Sequence, residues 1–136
     1  MSYCFAKDGG STLAKILVDS GKINGMYLEY GGPNSTSAPR DRAYFAALAP
    51  QGAHGYVRIR LTAIYADGDT IHATAMLSRE QLPADMPETV VFNCVSLAVL
   101  NEHEKDDKII CTSDLDKQIG VSSGAYTTIH TSLTIG

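Results

Sequence analysis

Three cysteines (Cys4, Cys94, Cys111) and four histidines (His54, His72, His103, His130) come first, because a thiol beside an imidazole can act as a nucleophilic pair. Nothing in their surroundings supports such a pair. Cys94 lies inside "VVFNCVSLAVL", residues 90 to 100, where an apolar setting disfavours the thiolate. Cys111 follows Ile109-Ile110 and reads the same way, while Cys4 has no neighbour in sequence that would activate it. His72 and His130 fall at polar positions of alternating segments and read as surface imidazoles. Ser123, in "VSSGAY", lacks the strand–turn–helix context of a nucleophile elbow.

Metal and phosphate chemistry fare no better. The run "NEHEKDDK", residues 101 to 108, crowds Glu102, His103, Glu104, Asp106 and Asp107, but its spacing matches neither an EF-hand loop nor a zinc motif. It reads as a solvated charged turn. "ADGD", residues 66 to 69, lacks the downstream glutamate of a calcium loop and is explained by a hairpin. In "KDGGSTLAKIL" the glycines precede Ser11 and Thr12, yet Lys15 comes three residues after Thr12 rather than beside it, so a plain turn or helix cap is expected. No catalytic residue, cofactor site or metal site is therefore assigned. The chain reads as non-enzymatic.

The elements that would position these residues are mostly strands. In "YVRIRLTAIY", Val57, Ile59, Leu61, Ala63 and Tyr65 alternate with Arg58, Arg60 and Thr62, which predicts one half-buried strand with an exposed basic face. Matching its faces to "TIHATAML" favours a three-residue loop, Asp67 to Asp69, with Tyr65 opposite Ile71, Leu61 opposite Ala75 and Thr62 opposite Thr74. "AYTTIHTSLTI" alternates as well, with Ala125, Thr127, Ile129, Thr131, Leu133 and Ile135 on one side. Its β-branched residues argue against a helix.

"ETVVFNCVSLAVL" is apolar on both faces, as a central strand would be, and "IICTSDL" returns beside it. In "KINGMYLEYGG", Met26, Leu28 and Tyr30 share one face, and Ile23, Tyr27 and Glu29 the other. Both faces are largely apolar, so this strand should be covered on two sides. Tyr27 and Phe45 are expected in the core.

Helices are minor. "STLAKILVDSG" is either a short helix stopped by Gly21 or a strand, and residues 1 to 21 form an N-terminal arm or short helix. "RDRAYFAAL" could make one or two turns, and "SREQLPADMPE" is held to a turn by Pro83 and Pro87. Residues 31 to 40, "GGPNSTSAPR", are a surface loop. The expectation is an all-β, single-domain β-sandwich or jelly-roll-like fold over residues 1 to 136, with one or two short helices.

Composition narrows the class. The chain is 44% hydrophobic and 19% charged, as an ordered globular domain should be. Lys+Arg number 11 against Asp+Glu 15, and the basic residues come as pairs rather than patches, which argues against nucleic-acid binding. No apolar run approaches the ~20 residues of a membrane span. The N-terminus shows no secretory pattern, and unpaired cysteines suit a reducing compartment.

Taken in order, "KINGMYLEY", "DRAYFAAL", "GYVRIRL", "DDKIICTSDLDKQIGV" and "TTIHTSLTIG" resemble segments of small virion structural proteins of tailed bacteriophages and prophages, of the tail-associated or capsid-decoration type. The resemblance spans roughly residues 22 to 136; the loop after Tyr30 and the "NEHEKDD" turn have no counterpart in it. It implies a non-catalytic protein that assembles with other virion proteins, major capsid or tail subunits, and with copies of itself. Such a protein is assembled in the bacterial host cytoplasm and ends in the virion, with no contact to nucleic acid or membrane.

Interface candidates are Tyr30, Tyr44, Arg58 and Arg60, with the 31 to 40 loop. The alternative is a small carbohydrate- or ligand-binding β module, against which the absence of Trp counts. A small hydrolase on a jelly roll would need a metal or nucleophile constellation that the residues do not display.

Overall fold

The computed structural model describes residues 2, 4–48, 53–82, 86, 89–120 and 126–136. They form an all-β, sandwich-like fold of two antiparallel sheets with two short helices. Helix α1 (Gly9–Asp19) and strand β1 (Gly25–Tyr30) are followed by α2 (Arg42–Ala46), β2 (Gly55–Arg60), β3 (Ala63–Asp67) and β4 (Thr70–Ser78), then by β5 (Thr89–Val99), β6 (Lys108–Gly120) and β7 (Tyr126–Thr134). One sheet has the order β2-β1-β5-β6, the other β3-β4-β7.

The main core lies between the sheets. Met26, Leu28, Val57, Ile59, Phe92, Val95 and Leu97 from the first meet Ile71, Ala73, Ala75, Leu77 and Ile129 from the second. Of the two readings of residues 11 to 21, the helix is the one formed. α1 presents Ala14, Leu17 and Val18 to this core, and Gly21, in the left-handed region at φ 69°, lets the chain turn away after it.

β1 is covered on both sides, as its two apolar faces require. Met26 and Leu28 point into the main core. Tyr27 points the other way, into a second cluster with Phe45, Ala98 and Leu100. The cover is the chain's own: residues 31 to 48 fold back over the outer face of the four-stranded sheet. β5, flanked by β1 and β6, is likewise the central strand that its apolar pattern implies.

Two expectations fail together. "YVRIRLTAIY" is not one strand but two, broken at Leu61 and Thr62. β2 pairs with β1 in the first sheet, while β3 crosses to the second and pairs with β4. The break is held by backbone bonds, Leu61 N–H to the Asn24 carbonyl at 2.9 Å and Thr62 N–H to the Thr74 carbonyl at 2.8 Å.

Consequently the inward face shifts by one residue across the break. Val57 and Ile59 are buried, but beyond it Ile64 and Ala66 pack on the core while Ala63 and Tyr65 face outward. The hairpin register follows: Asp67 opposes Thr70 and Tyr65 opposes His72, so the loop is Gly68-Asp69 rather than the three-residue loop expected. A strict period of two read through the break hid the change of sheet.

β7 keeps its expected alternation, with Ile129 and Thr131 buried and Tyr126, Thr128, His130, Ser132 and Thr134 exposed; Ala125 lies outside the described residues. Ser78 and Gln81 form a capping box on the short 3-10 turn Arg79–Gln81; Pro83 and Pro87 lie outside the described residues. Among the described residues no helix is long and apolar enough to cross a membrane.

Candidate functional site

Two regions gather the chain's polar and aromatic chemistry. The first is the layer over the outer face of the four-stranded sheet. Because β1 alternates, Glu29 emerges on the same side as Tyr27, and both are fully buried. Arg40, at the end of the 31 to 40 loop, reaches back to it. Its Nε donates to Glu29 Oε1 at 3.0 Å, with both side chains essentially inaccessible.

The rest of the guanidinium binds the loop itself. Nη1 donates to the carbonyls of Asn34 and Ala38, each at 2.8 Å, and Nη2 to the Pro33 carbonyl at 2.6 Å and to Cys94 Sγ at 3.6 Å. Burial works against the charge on Arg40, yet the hydrogen bond and ion pair with Glu29 outweigh it and hold its pKa above the usual arginine value. The segment read as a surface loop is thus anchored from beneath by its last residue.

Glu29 Oε2 carries the remaining contacts. It accepts from the Tyr44 hydroxyl at 2.5 Å and lies 2.6 Å from His54 Nε2. Asp41 caps α2 by accepting from the Tyr44 backbone N–H at 2.8 Å, which orients the Tyr44 ring toward that carboxylate. Burial first, then the bond to Glu29, pushes the Tyr44 hydroxyl up to about 12. Gly31, at φ 75°, makes the bend after β1, and an added Cβ there would collide with the Ala53 carbonyl.

A carboxylate–imidazole–phenol set of this kind could in principle support proton transfer. Cys94 contacts Arg40, Asn93, the Pro33 carbonyl and Asp114, not His54. Burial pushes its thiol up to about 11, so it stays protonated near neutral pH. The cluster holds a loop onto a sheet.

Alongside lies a second network. The Tyr27 hydroxyl donates to Asp107 Oδ2 at 2.5 Å, Arg58 Nε donates to the same oxygen at 2.6 Å, and Arg58 Nη2 and the Asn101 backbone N–H reach Oδ1 at 3.0 and 2.7 Å. Burial alone would raise the Asp107 carboxyl, but the bonds from Arg58, Asn101 and Tyr27 outweigh it and hold it below the ordinary value. Arg58 is raised correspondingly, chiefly by its bond to Asp107.

Tyr27 and Tyr56 stack at 5.2 Å between centroids, and Arg42 lies over both rings at 5.8 and 5.6 Å. Among the described residues Arg42 Nε and Nη1 are buried without a hydrogen-bond partner, and the ring faces of Tyr27 and Tyr56 lie against the guanidinium. Arg42 Nη2 and the Tyr56 hydroxyl both donate to Glu104 Oε2, at 2.8 and 2.6 Å. The turn 101 to 108, read as solvated charge, therefore sends Asp107 and Glu104 into the fold. Acidic spacing carried no sign of this, because the partners lie on β1, α2 and β2.

The interface candidates divide accordingly. Tyr44 and Arg58 are engaged in these networks, and Tyr30 packs edge-on against Phe92 at 5.9 Å. Arg60, at the end of β2, is exposed.

The second region is the outer face of the three-stranded sheet. β3 places Ala63, Tyr65 and Asp67 on it; β4 places Thr70, His72, Thr74 and Met76; β7 places Tyr126, Thr128, His130, Ser132 and Thr134. Asp67, at the hairpin end, supplies the one formal charge among these strand residues. Tyr65, Met76 and Tyr126 are 54%, 43% and 67% exposed. Tyr65 stacks on His72 at 4.9 Å, and His72 lies beside His130 at 5.5 Å, making a continuous ring row across all three strands.

The sequence hides this face, because unbroken alternation through "YVRIRLTAIY" puts Tyr65 on the core side. Among the described residues no group of three or more His, Cys, Asp or Glu side chains converges as a metal shell would. Comparison with protein-family models, with curated proteins and with solved structures finds no match for this chain.

Proposed function

We propose that the chain is a non-catalytic structural subunit of a bacteriophage virion, joined to further copies of itself through the outer face of its three-stranded sheet. The observation that carries this reading is the composition of that face: exposed aromatic, Met, Thr and His side chains with a single carboxylate at one end. Soluble surfaces ordinarily mix roughly 25–35% charged residues, and depletion of charge marks the centre of protein–protein contacts.

A second copy is the occupant the charge favours. Two copies carry the same net charge of −4, so they approach best through the surface that bears almost none of it. Three strands at about 4.8 Å spacing, two of them nine residues and β3 five residues long at about 3.3 Å rise, make a face of at most roughly 14 by 30 Å. That is smaller than the ~800 Å² per partner of a standard interface, so each contact is weak alone and gains strength by repetition, as in a multi-copy shell or tube.

The order of motifs from "KINGMYLEY" to "TTIHTSLTIG" supports the virion assignment, with major capsid or tail subunits as further partners. The test is mass spectrometry of purified particles from a lysogen or phage encoding the chain. Many copies per particle are expected. Absence from intact particles, with the protein present in the lysate, would remove the virion reading.

A carbohydrate-binding module is the second reading, and the exposed Tyr65 and Tyr126 rings are what favour it. A glycan array with a specific hit lost on Tyr65→Ala would establish it instead.

A further inference from the structure

The ring row on the outer face brings two imidazole nitrogens together. His72 and His130 stand on adjacent strands, diagonal across the β4–β7 ladder, with His72 opposite Ser132 and His130 opposite Thr74. Their ring centres are 5.5 Å apart, whereas His72 Nδ1 and His130 Nε2 are 3.4 Å apart. The two nitrogens therefore lie between the ring centres and face each other.

We propose that His72 and His130 form a two-imidazole site for a divalent transition ion of the Zn²⁺ class. Imidazole nitrogens ~2.0–2.1 Å from a tetrahedral ion stand about 3.3–3.4 Å apart, which is the separation already present. Imidazole is a ligand of choice for zinc, copper and nickel and not for calcium or magnesium, which fixes the class of ion.

A supporting shell is in place around the pair. His130 Nδ1 lies 3.4 Å from Thr74 Oγ1; in the tautomer that donates to this hydroxyl, the lone pair of Nε2 faces His72. Tyr65, stacked at 4.9 Å and 19° on the other side of His72, restrains that ring. Without metal the two facing nitrogens share one hydrogen bond at 3.4 Å, whose direction depends on the tautomers of the rings. Metal binding needs the lone pairs of both facing nitrogens, so a proton between them leaves for the other nitrogen of its ring or for solvent. No Lys or Arg stands among the strand residues of this face to repel a cation. The remaining coordination positions are open to water.

The site does not depend on the assembly reading, because it needs only one chain. The test is a Zn²⁺ titration of the intact protein at low concentration, followed by NMR of the histidine ring signals and by calorimetry. The His72 and His130 signals should respond together as one equivalent binds, and His130→Gln should abolish that equivalent while circular dichroism stays unchanged. Thr74→Val, which keeps the side-chain shape, should weaken binding ~10-fold, as loss of a ligand's hydrogen-bond partner does. A Zn²⁺ isotherm unaltered by His130→Gln, or ring signals of His72 and His130 that do not move, would overturn the proposal.

Discussion

The hydroxyl of Tyr27 donates to the carboxylate of Asp107 at 2.5 Å, across 80 residues of chain. This bond ties β1 to the turn before β6, and Arg58 on β2 completes the tie by binding both oxygens of the same carboxylate. Tyr27→Phe keeps the ring packing and removes only the donor. Loss of about 1.5–3 kcal/mol is expected, the range for a hydrogen bond to a charged group, read as a lower urea midpoint at unchanged slope.

Asp107 also sets an acid limb of stability. Its folded pKa lies below the unfolded value, so the unfolded chain binds the proton more readily as pH falls. The stabilisation is complete above the unfolded pKa of about 3.9 and is lost as pH drops through the folded value. Thermal unfolding of the Asp107→Asn variant should depend less steeply on pH below about 4 than that of the wild type. Parallel profiles would assign the acid limb elsewhere.

Glu29 and Arg40 are a buried pair in which neither partner can turn to water. Arg40→Ala should cost about 3–5 kcal/mol by leaving the carboxylate uncompensated. Replacing both by leucine should cost less than the sum of the single changes, which a double-mutant cycle in urea would show. Arg40→Lys should not rescue, because an ammonium cannot serve Glu29, three loop carbonyls and Cys94 from one plane.

The cysteines should separate by reactivity. Cys4 is exposed, Cys111 is intermediate with its thiol raised by burial, and Cys94 is buried with its thiol pushed up to about 11. Timed alkylation of the native protein at pH 8, followed by peptide mass spectrometry, should modify Cys4 first and Cys94 last. Equal rates at Cys4 and Cys94 would contradict the burial described for β5.

How much of this could be read beforehand follows from what each residue depends on. The two-sided burial of β1, the central place of β5 and the alternation of β7 are properties of local pattern, and local pattern showed them. The broken strand was not legible, because Leu61 and Thr62 continue the period while the backbone changes sheet. The unbroken period therefore puts Tyr65 on the wrong side, and with it conceals the ring row. The fate of Asp107 and Arg40 was hidden for another reason. A charge looks solvated in sequence until a partner from another element is brought to it, 80 residues away for Asp107 and 11 for Arg40, and only the tertiary fold brings Tyr27 and Glu29 there.

The central claim, association of copies through the outer face of the three-stranded sheet, is tested most directly by sedimentation velocity over a wide concentration range. The wild type should show reversible, concentration-dependent association, and Met76→Lys, which places a charge in the middle of that face, should remain a monomer throughout. A wild type that stays monomeric at the highest concentration, or association that Met76→Lys leaves intact, would contradict the account.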